Sequence, residues 1–363
     1  GEDVYFPLRI ISLIVRHNFT PHNNTRMTHL CGPMDAHLRT IEAGLQVKIA
    51  HRHEQFKIDG PKAKANQALE LLQALYEMAK LTGGGFTNLP ADRKSLTAKL
   101  DRACQAYANK EEGDPHNLTD ELFVLVLEDS ATGEVRGTCQ IFTSVGRQWP
   151  FYSYRKATLT QHSKELNRTF RAEMLNLVTD LEGSSEVGGL FLHPGERAGG
   201  LGMLLARSRY LFIAMHRKRF ADRILAELRG VIDERGGSPF WDGVAGRFFG
   251  MNFQDADYFN AINGNQFIAD LMPKHPVYIA MLPETARSAI GLPHPSGRAA
   301  MRMLETEGFA AEGYIDIFDG GPTMTARTDR VRARARACAR VRLVLFRRRR
   351  EPGRRAAALR RRC

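Results

Sequence analysis

Two periods of apolar residues divide this 363-residue chain into elements. Ala68, Leu71, Leu72, Leu75, Met78 and Ala79 fall on one stripe and predict an amphipathic helix, with Pro61 tolerated in its first turn. Ahead of it a helix is expected near Asp35–Ala43, and the alternating runs Gln46–Ala50 and Gln55–Asp59 read as a hairpin. Further on, the pattern predicts a helix through Lys94–Ala108 and a hairpin of Glu121–Glu128 with Val135–Val145, turned by DSATG. Val187–Leu192 reads as a strand and Leu201–Met215 as a helix; Ile224–Val231 is another strand. Ser238–Met251, with a Ser cap and a first-turn Pro, is a helix, as is Asp257–Leu271. A strand at Val277–Met281, a helix at Ser296–Glu307 stopped by Gly308, and a last strand at Tyr314–Phe318 complete the series. Residues 1–18 show no regular pattern. Helices and strands in alternation define an α/β or α+β domain.

Length allows two domains, or one large one with appendages, and 43% apolar residues supply a sizeable core. No apolar run reaches the ~18 residues needed to span a bilayer, so no membrane partner is expected. The five cysteines, Cys31, Cys104, Cys139, Cys338 and Cys363, are scattered and include no C-x-x-C pair. That argues against a disulfide framework or a metal site and for the cytoplasm. The net charge of +12 is concentrated at one end. Residues 331–363 hold 14 Arg, no Lys and one acid, so the remainder of the chain is nearly neutral. This Arg- and Ala-rich stretch reads as an out-of-frame or otherwise abnormal end rather than as a nucleic-acid arm.

The stretch SSEVGGLFLHPGERAGGLGMLLARSRYLF carries the chemistry. Strand, glycine loop and helix follow in order, and the loop has the form R-x-x-G-x-G through Arg197, Gly200 and Gly202. Unpaired N–H groups at a helix start attract phosphate oxygens, and glycines let the phosphate approach closely. Taken alone, the motif is also satisfied by an ordinary strand-to-helix turn.

Two resemblances extend this reading. From Leu81 to about Ala333 the chain resembles arginine N-succinyltransferase, through LTGGGFTNLPADR, LFVLVLEDSATGEVRGTCQI, SSEVGGLFLHP, AELRGVIDERGGSPFWDGVAGRFFGM, NQFIADLMPKHPVY and YIDIFDGGPT. The resemblance implies a GNAT-like acyl-CoA N-acyltransferase fold. It also implies transfer of succinyl from succinyl-CoA to the α-amino group of L-arginine, with succinyl-CoA as co-substrate and no permanently bound cofactor. Residues 19–78 resemble the N-terminal segment of the PhoH-like ATPases, a small KH-like α+β unit. The ATPase motif G-x-x-x-x-G-K-[ST] is absent, so no ATPase activity follows. The expected organisation is therefore residues 1–18 unassigned, 19–80 KH-like, 81–333 catalytic, and 334–363 an Arg-rich tail. The two joins read as those of a chimeric chain, with the catalytic unit cut at both ends.

By the same resemblance, His294 in GLPHPSG matches the proton-donor histidine and Leu190 the succinyl-CoA-binding leucine. The guanidinium of arginine is protonated at neutral pH, whereas its α-amine titrates near ~8, so the amine is the acceptor. A base must take its proton, a donor must meet the departing thiolate, and backbone N–H groups should polarise the thioester carbonyl. His193, directly after the strand, is a rival acid–base candidate and also fits an ordinary surface turn. Glu186, Glu227, Asp233 and Glu234 are each able to hold the guanidinium by paired hydrogen bonds, and the sequence does not choose among them. Competing readings are a nucleic-acid-binding module built from the KH-like unit and the tail, or an inactive fusion. No specific nucleic-acid partner is expected, since the tail lacks aromatic interleaving and the first unit lacks a clear G-x-x-G loop. A homo-oligomer is compatible with all of this.

Overall fold

The computed structural model describes residues 12–20, 27, 30–31, 35–82, 93–109, 113–114, 117–197, 199–233, 236–263 and 266–335. They fall into two units. Residues 12–82 form the smaller one with the turn Asp233–Gly237, and the other described residues form the larger.

In the smaller unit the order is β1 (Ser12–Asn18), α1 (Ala36–Leu45), β2 (Lys48–Arg52), β3 (Gln55–Pro61) and α2 (Lys62–Thr82). The strands make an antiparallel sheet in the order β1-β3-β2. Phe56 and Ile58 of β3 meet Ala65, Ala68, Leu72 and Tyr76 of α2 in one core. Of the stripe read from the sequence, Ala68 and Leu72 are buried and Leu75 packs against them, whereas Leu71 is 42% exposed, because the buried face is turned toward Ala65 and Tyr76. Pro61 ends β3 instead of opening the helix, and β1 arises where no pattern was legible.

The larger unit is built on nine strands among the described residues: β4 (Leu122–Glu128), β5 (Val135–Phe142), β6 (Ser153–Ser163), β7 (Arg168–Val178), β8 (Ser185–Leu192), β9 (Arg223–Glu227), β10 (Val277–Tyr278), β11 (Ala310–Ile315) and β12 (Pro322–Arg327). Their order is β10-β7-β6-β11-β12-β9-β8-β5-β4. Of these pairings only β8–β9 is parallel, so the class is α+β with a mostly antiparallel sheet. Helices α3 (Arg93–Ala108), α4 (Leu201–Met215) and α10 (Arg298–Glu307) cover one face of the β4–β12 half. That core gathers Phe123, Cys139, Ile141, Val187, Ile224, Ala226 and Met324 from the strands and Ala106, Leu205, Phe212 and Leu304 from the helices. A second core holds Tyr154, Leu175 and Ile315 against α5 (Pro239–Val244), α6 (Gly246–Phe249), α7 (Phe253–Asn263), α8 (Gln266–Leu271) and α9 (Glu284–Ala289).

Several sequence expectations are corrected here. Ser238–Met251 is two helices broken at Ala245, although Ser238 caps the first by accepting from the Trp241 N–H. Asp257–Leu271 is likewise the end of α7 and a separate α8. Val277–Met281 shortens to a two-residue strand and a 3-10 turn. The strand expected at Ile224–Val231 ends at Glu227, because the chain bends around Asp319–Gly321. Gly230 donates to Asp319 Oδ2 at 2.8 Å, and a Cβ on Gly230 would stand 2.2 Å from the Asp319 carbonyl oxygen. The last strand is β12, not Tyr314–Phe318, and the long β6–β7 hairpin was missed. Residues 83–92 and 336–363, which include most of the LTGGGFTNLPADR text and most of the Arg-rich tail, lie outside the described residues.

Candidate active site

The parallel pair β8–β9 is joined only at Ser185↔Ile224 and Glu186↔Leu225. Beyond Glu186, β8 runs on through Leu192, which is about 20 Å of strand at ~3.3 Å per residue with no β9 partner. The two strands therefore open like a V. A bulge turns β8 further aside, since Thr138 faces Phe191 while Gln140 faces Gly188, so Gly189 and Leu190 together oppose Cys139. Gly189 takes φ +54°, and a Cβ there would stand 2.8 Å from Gln140 Nε2, so both conformation and space call for glycine.

Within the V lies a cavity of about 130 Å³. Val187, Gly188, Gly189 and Leu190 form one wall, Ala226, Glu227, Leu228 and Arg229 another. Residues of α4 and α10, among them Met203, Ala206, Arg209 and Glu307, close the helix side.

The glycine loop opens α4 at the wide end of the V. Gly199 and Gly200 take φ +78° and +83°, with open space where their side chains would be. Gly200 provides no side chain to cap α4, so the first-turn N–H groups are not met in that way. Arg197 Nε donates to the Leu192 carbonyl at 3.3 Å, tying the loop to the strand end. A Cβ added to Gly202 would stand 3.7 Å from a Leu192 methyl, an ordinary contact. Of the expected cofactor-binding residues, Leu190 lines the cavity, whereas Arg197, Gly200 and Gly202 lie beyond its rim at the helix start.

His294 caps the 3-10 turn Pro295–Gly297. Its Nδ1 lies 2.7 Å from Ser296 Oγ and accepts from the Ser296 N–H at 3.3 Å, which leaves the neutral ring's proton on Nε2. The His294 N–H donates to the carbonyl of Arg229, a cavity-wall residue, at 2.7 Å, so His294 adjoins the wall without lining it. Burial and the neighbouring Arg229 charge push its pKa below the usual imidazole value, while Asp319 works weakly against them. His193 accepts from the Gly195 N–H at 3.2 Å and caps the 3-10 turn Pro194–Glu196, which is the structural role open to it from the sequence.

The acids separate. Glu227 lines the cavity, lies deep in the protein and still keeps some accessible surface. Burial first, then the charges of Asp316, Glu186 and Asp319, raise its pKa well above the carboxylate range. Glu186 rises to about 7 through burial, against the opposing charge of Lys99. Asp257 rises to about 6 for the same first reason. Asp233 belongs to the turn Asp233–Gly237, where its Oδ1 accepts from the Gly237 N–H, and it does not line the cavity. Glu234 lies outside the described residues.

Sequence reasoning missed Arg209 and Gln140. Arg209 falls on the buried stripe of α4 and is 4% exposed. A charge at an apolar position of a helical stripe was the signal available. Gln140 is fully buried, and neither side-chain amide atom has a hydrogen-bond partner among the described residues. Away from this site, Cys31, Asp35 and His51 of the smaller unit bring three ligand-type atoms within 4.8 Å of one another. Burial, then the charge of Asp35, pushes the Cys31 thiol up to about 12.

A parallel strand pair that opens beside an uncapped, glycine-led helix is a geometry able to take an extended ligand with an anionic group. The comparisons with known proteins give that class a family. The family model described as arginine N-succinyltransferase beta subunit matches residues 67–333. An arginine N-succinyltransferase of Citrobacter koseri is 47% identical over 262 residues, covering 72% of this chain and 75% of the relative. One from Escherichia coli is 46% identical over the same shares. The solved structure of the arginine/ornithine succinyltransferase subunit AI from Pseudomonas aeruginosa matches with a TM-score of 0.62 and 34% identity, covering 71% of this chain and 74% of that one. The chain belongs to the arginine N-succinyltransferase family. The match begins at residue 67, inside α2, ahead of the boundary expected at Leu81.

Proposed function

We propose that the V-shaped cleft transfers succinyl from succinyl-CoA to the α-amino group of L-arginine. The carrying observation is the unpaired edge of β8 leading from the bulge at Leu190 to the uncapped start of α4. The pantetheine amides of the donor pair with that edge as an added strand. The pyrophosphate rests at Gly200 and Gly202 with Arg197 beside it. This places the thioester near Gly189 and Leu190, where backbone N–H groups polarise its carbonyl.

In the reaction the neutral α-amine attacks the thioester carbon. The C–N bond forms, the C–S bond breaks, and the thiolate takes a proton while the amine gives one up. His294 serves the proton step through Nε2, with Ser296 fixing Nδ1. Its lowered pKa keeps the ring neutral between turnovers and makes the protonated ring a ready donor. Glu227, backed by Asp316 and Asp319, receives the guanidinium, because a cation there relieves the mutual repulsion of these carboxylates. The small α+β unit of residues 12–82 is the KH-like appendage of this reading, supported by its three-stranded antiparallel sheet and flanking helices. No helix among the described residues is long and apolar enough to cross a membrane.

The test is direct. Purified protein is mixed with succinyl-CoA and arginine, and free thiol is followed. Arginine-dependent thiol release is expected. Its absence from protein with a folded circular dichroism spectrum overturns the proposal.

A further inference from the structure

Arg209 occupies a place where an uncompensated charge is costly. It sits on the sheet-facing side of α4, is 4% exposed and lines the cavity. Its Nε donates to the Ala206 carbonyl at 3.2 Å, and its guanidinium carbon lies 5.7 Å from the centre of the Tyr210 ring. Neither contact supplies negative charge. Among the described residues no carboxylate forms an ion pair with it. Glu307, on the same wall, is engaged elsewhere: Oε1 accepts from Arg207 Nε at 2.7 Å and Oε2 from the Ala333 N–H at 2.6 Å. The charges acting on Glu227 are those of other carboxylates, not Arg209. A guanidinium nearly removed from water without a counter-charge is retained for what it meets when the cavity is filled.

We infer that the Arg209 guanidinium binds the distal carboxylate of the succinyl group and thereby selects the acyl donor. This rests on the reading of the cleft as the succinyl-CoA site. Depth agrees with it. Arg209 lies nine residues into α4 from Gly200, about 13 Å along the axis at ~1.5 Å per residue. Gly189 lies about 10 Å back along β8 from Leu192, at ~3.3 Å per residue. The thioester and the cation therefore stand at a similar depth in the V, separated by its width, which the short carbon chain of succinyl spans. The planar fork of arginine matches a carboxylate by two parallel hydrogen bonds. A donor ending in a methyl group leaves the buried charge unmet and is rejected.

The experiment compares the wild type with R209M and R209K, using succinyl-CoA and butyryl-CoA, which has the same chain length with methyl in place of carboxylate. Turnover with saturating arginine gives kcat/KM for each donor, and calorimetry gives the same preference from binding alone. The wild type is expected to prefer succinyl-CoA by about 10²-fold or more. R209M should lose about 10²–10³-fold with succinyl-CoA and gain with butyryl-CoA, whose methyl end no longer faces an unmet buried charge, so that the preference collapses. R209K, which keeps the charge but not the fork, should lower the preference about tenfold. Equal losses with both donors in R209M, or an unchanged preference in R209K, overturn the inference; R209K decides if R209M does not fold. A wild type that binds succinyl-CoA selectively yet releases no thiol with arginine defeats the proposed function instead.

Discussion

Gly189→Ala tests whether the bulge in β8 is a built feature. Two costs are expected. An alanine held at φ +54° costs about 1–2 kcal/mol in the left-handed region. The new methyl would also stand 2.8 Å from Nε2, 2.9 Å from Cδ and 3.0 Å from Cγ of Gln140, a side chain with no exposed surface into which it could move. Overpacking of this kind costs about 1–3 kcal/mol. The sum is about 2–5 kcal/mol. At ~2–4 °C per kcal/mol for a unit of this size, thermal unfolding should shift down by about 4–20 °C. The same change should raise KM for succinyl-CoA, because relaxing the bulge turns the Leu190 backbone away from the cleft. Shortening the obstructing side chain in Gln140→Ala should restore about 1–3 kcal/mol to the double variant relative to additivity, leaving only the backbone strain. Melting within ~2 °C of wild type, or strict additivity with Gln140→Ala, refutes the reasoning.

The remaining predictions concern the site and its support. His294→Ala should lower kcat by about 10²-fold or more with KM for both substrates nearly unchanged; full turnover removes it from the mechanism. Glu227→Gln should raise KM for arginine with kcat little affected, whereas a fall in kcat at constant KM marks Glu227 as the base instead. In the wild type, arginine binding should strengthen as pH rises through the elevated Glu227 pKa, since only the carboxylate form attracts the cation. Stability should move oppositely. The folded pKa of Glu227 lies above its unfolded value, so its contribution is intact at acid pH and is lost as pH rises. Glu227→Gln should therefore raise the melting temperature near pH ~8 and leave it unchanged near pH ~4, which melts at the two pH values would check. Gly321→Ala would place a Cβ 2.0 Å from the Leu228 carbonyl oxygen and should abolish soluble folded protein; a normal yield with a native melt contradicts the close docking of the Asp319–Gly321 turn on β9.

Local pattern determined much of this molecule. Helix α2, the hairpin β2–β3, helix α4 and the order of strand, glycine loop and helix at residues 185–215 were legible because each depends on neighbours within a few residues. The R-x-x-G-x-G spacing pointed to Arg197, Gly200 and Gly202, and the family resemblance to Leu190 and His294. What the sequence left open were matters of non-local pairing. The hairpin β6–β7 carries long polar stretches, with residues such as Arg168, Phe170 and Arg171 exposed, so no apolar alternation announced it. The splay of β8 from β9 follows from two strands, separated in the chain by the whole of α4, pairing at only two positions. Among four candidate acids, only the fold distinguished Glu227, because a carboxylate becomes a cavity wall when its strand ends beside an opening. Arg209 is the plainest case. Its place on the α4 stripe is a matter of sequence, but that the stripe faces a cavity at that level, with the nearby Glu307 already bound by Arg207, is decided by tertiary packing alone. A sequence sets which groups a chain possesses and their local period; which of them share a low-dielectric space, and so which charges are left unmet, depends on contacts between distant segments.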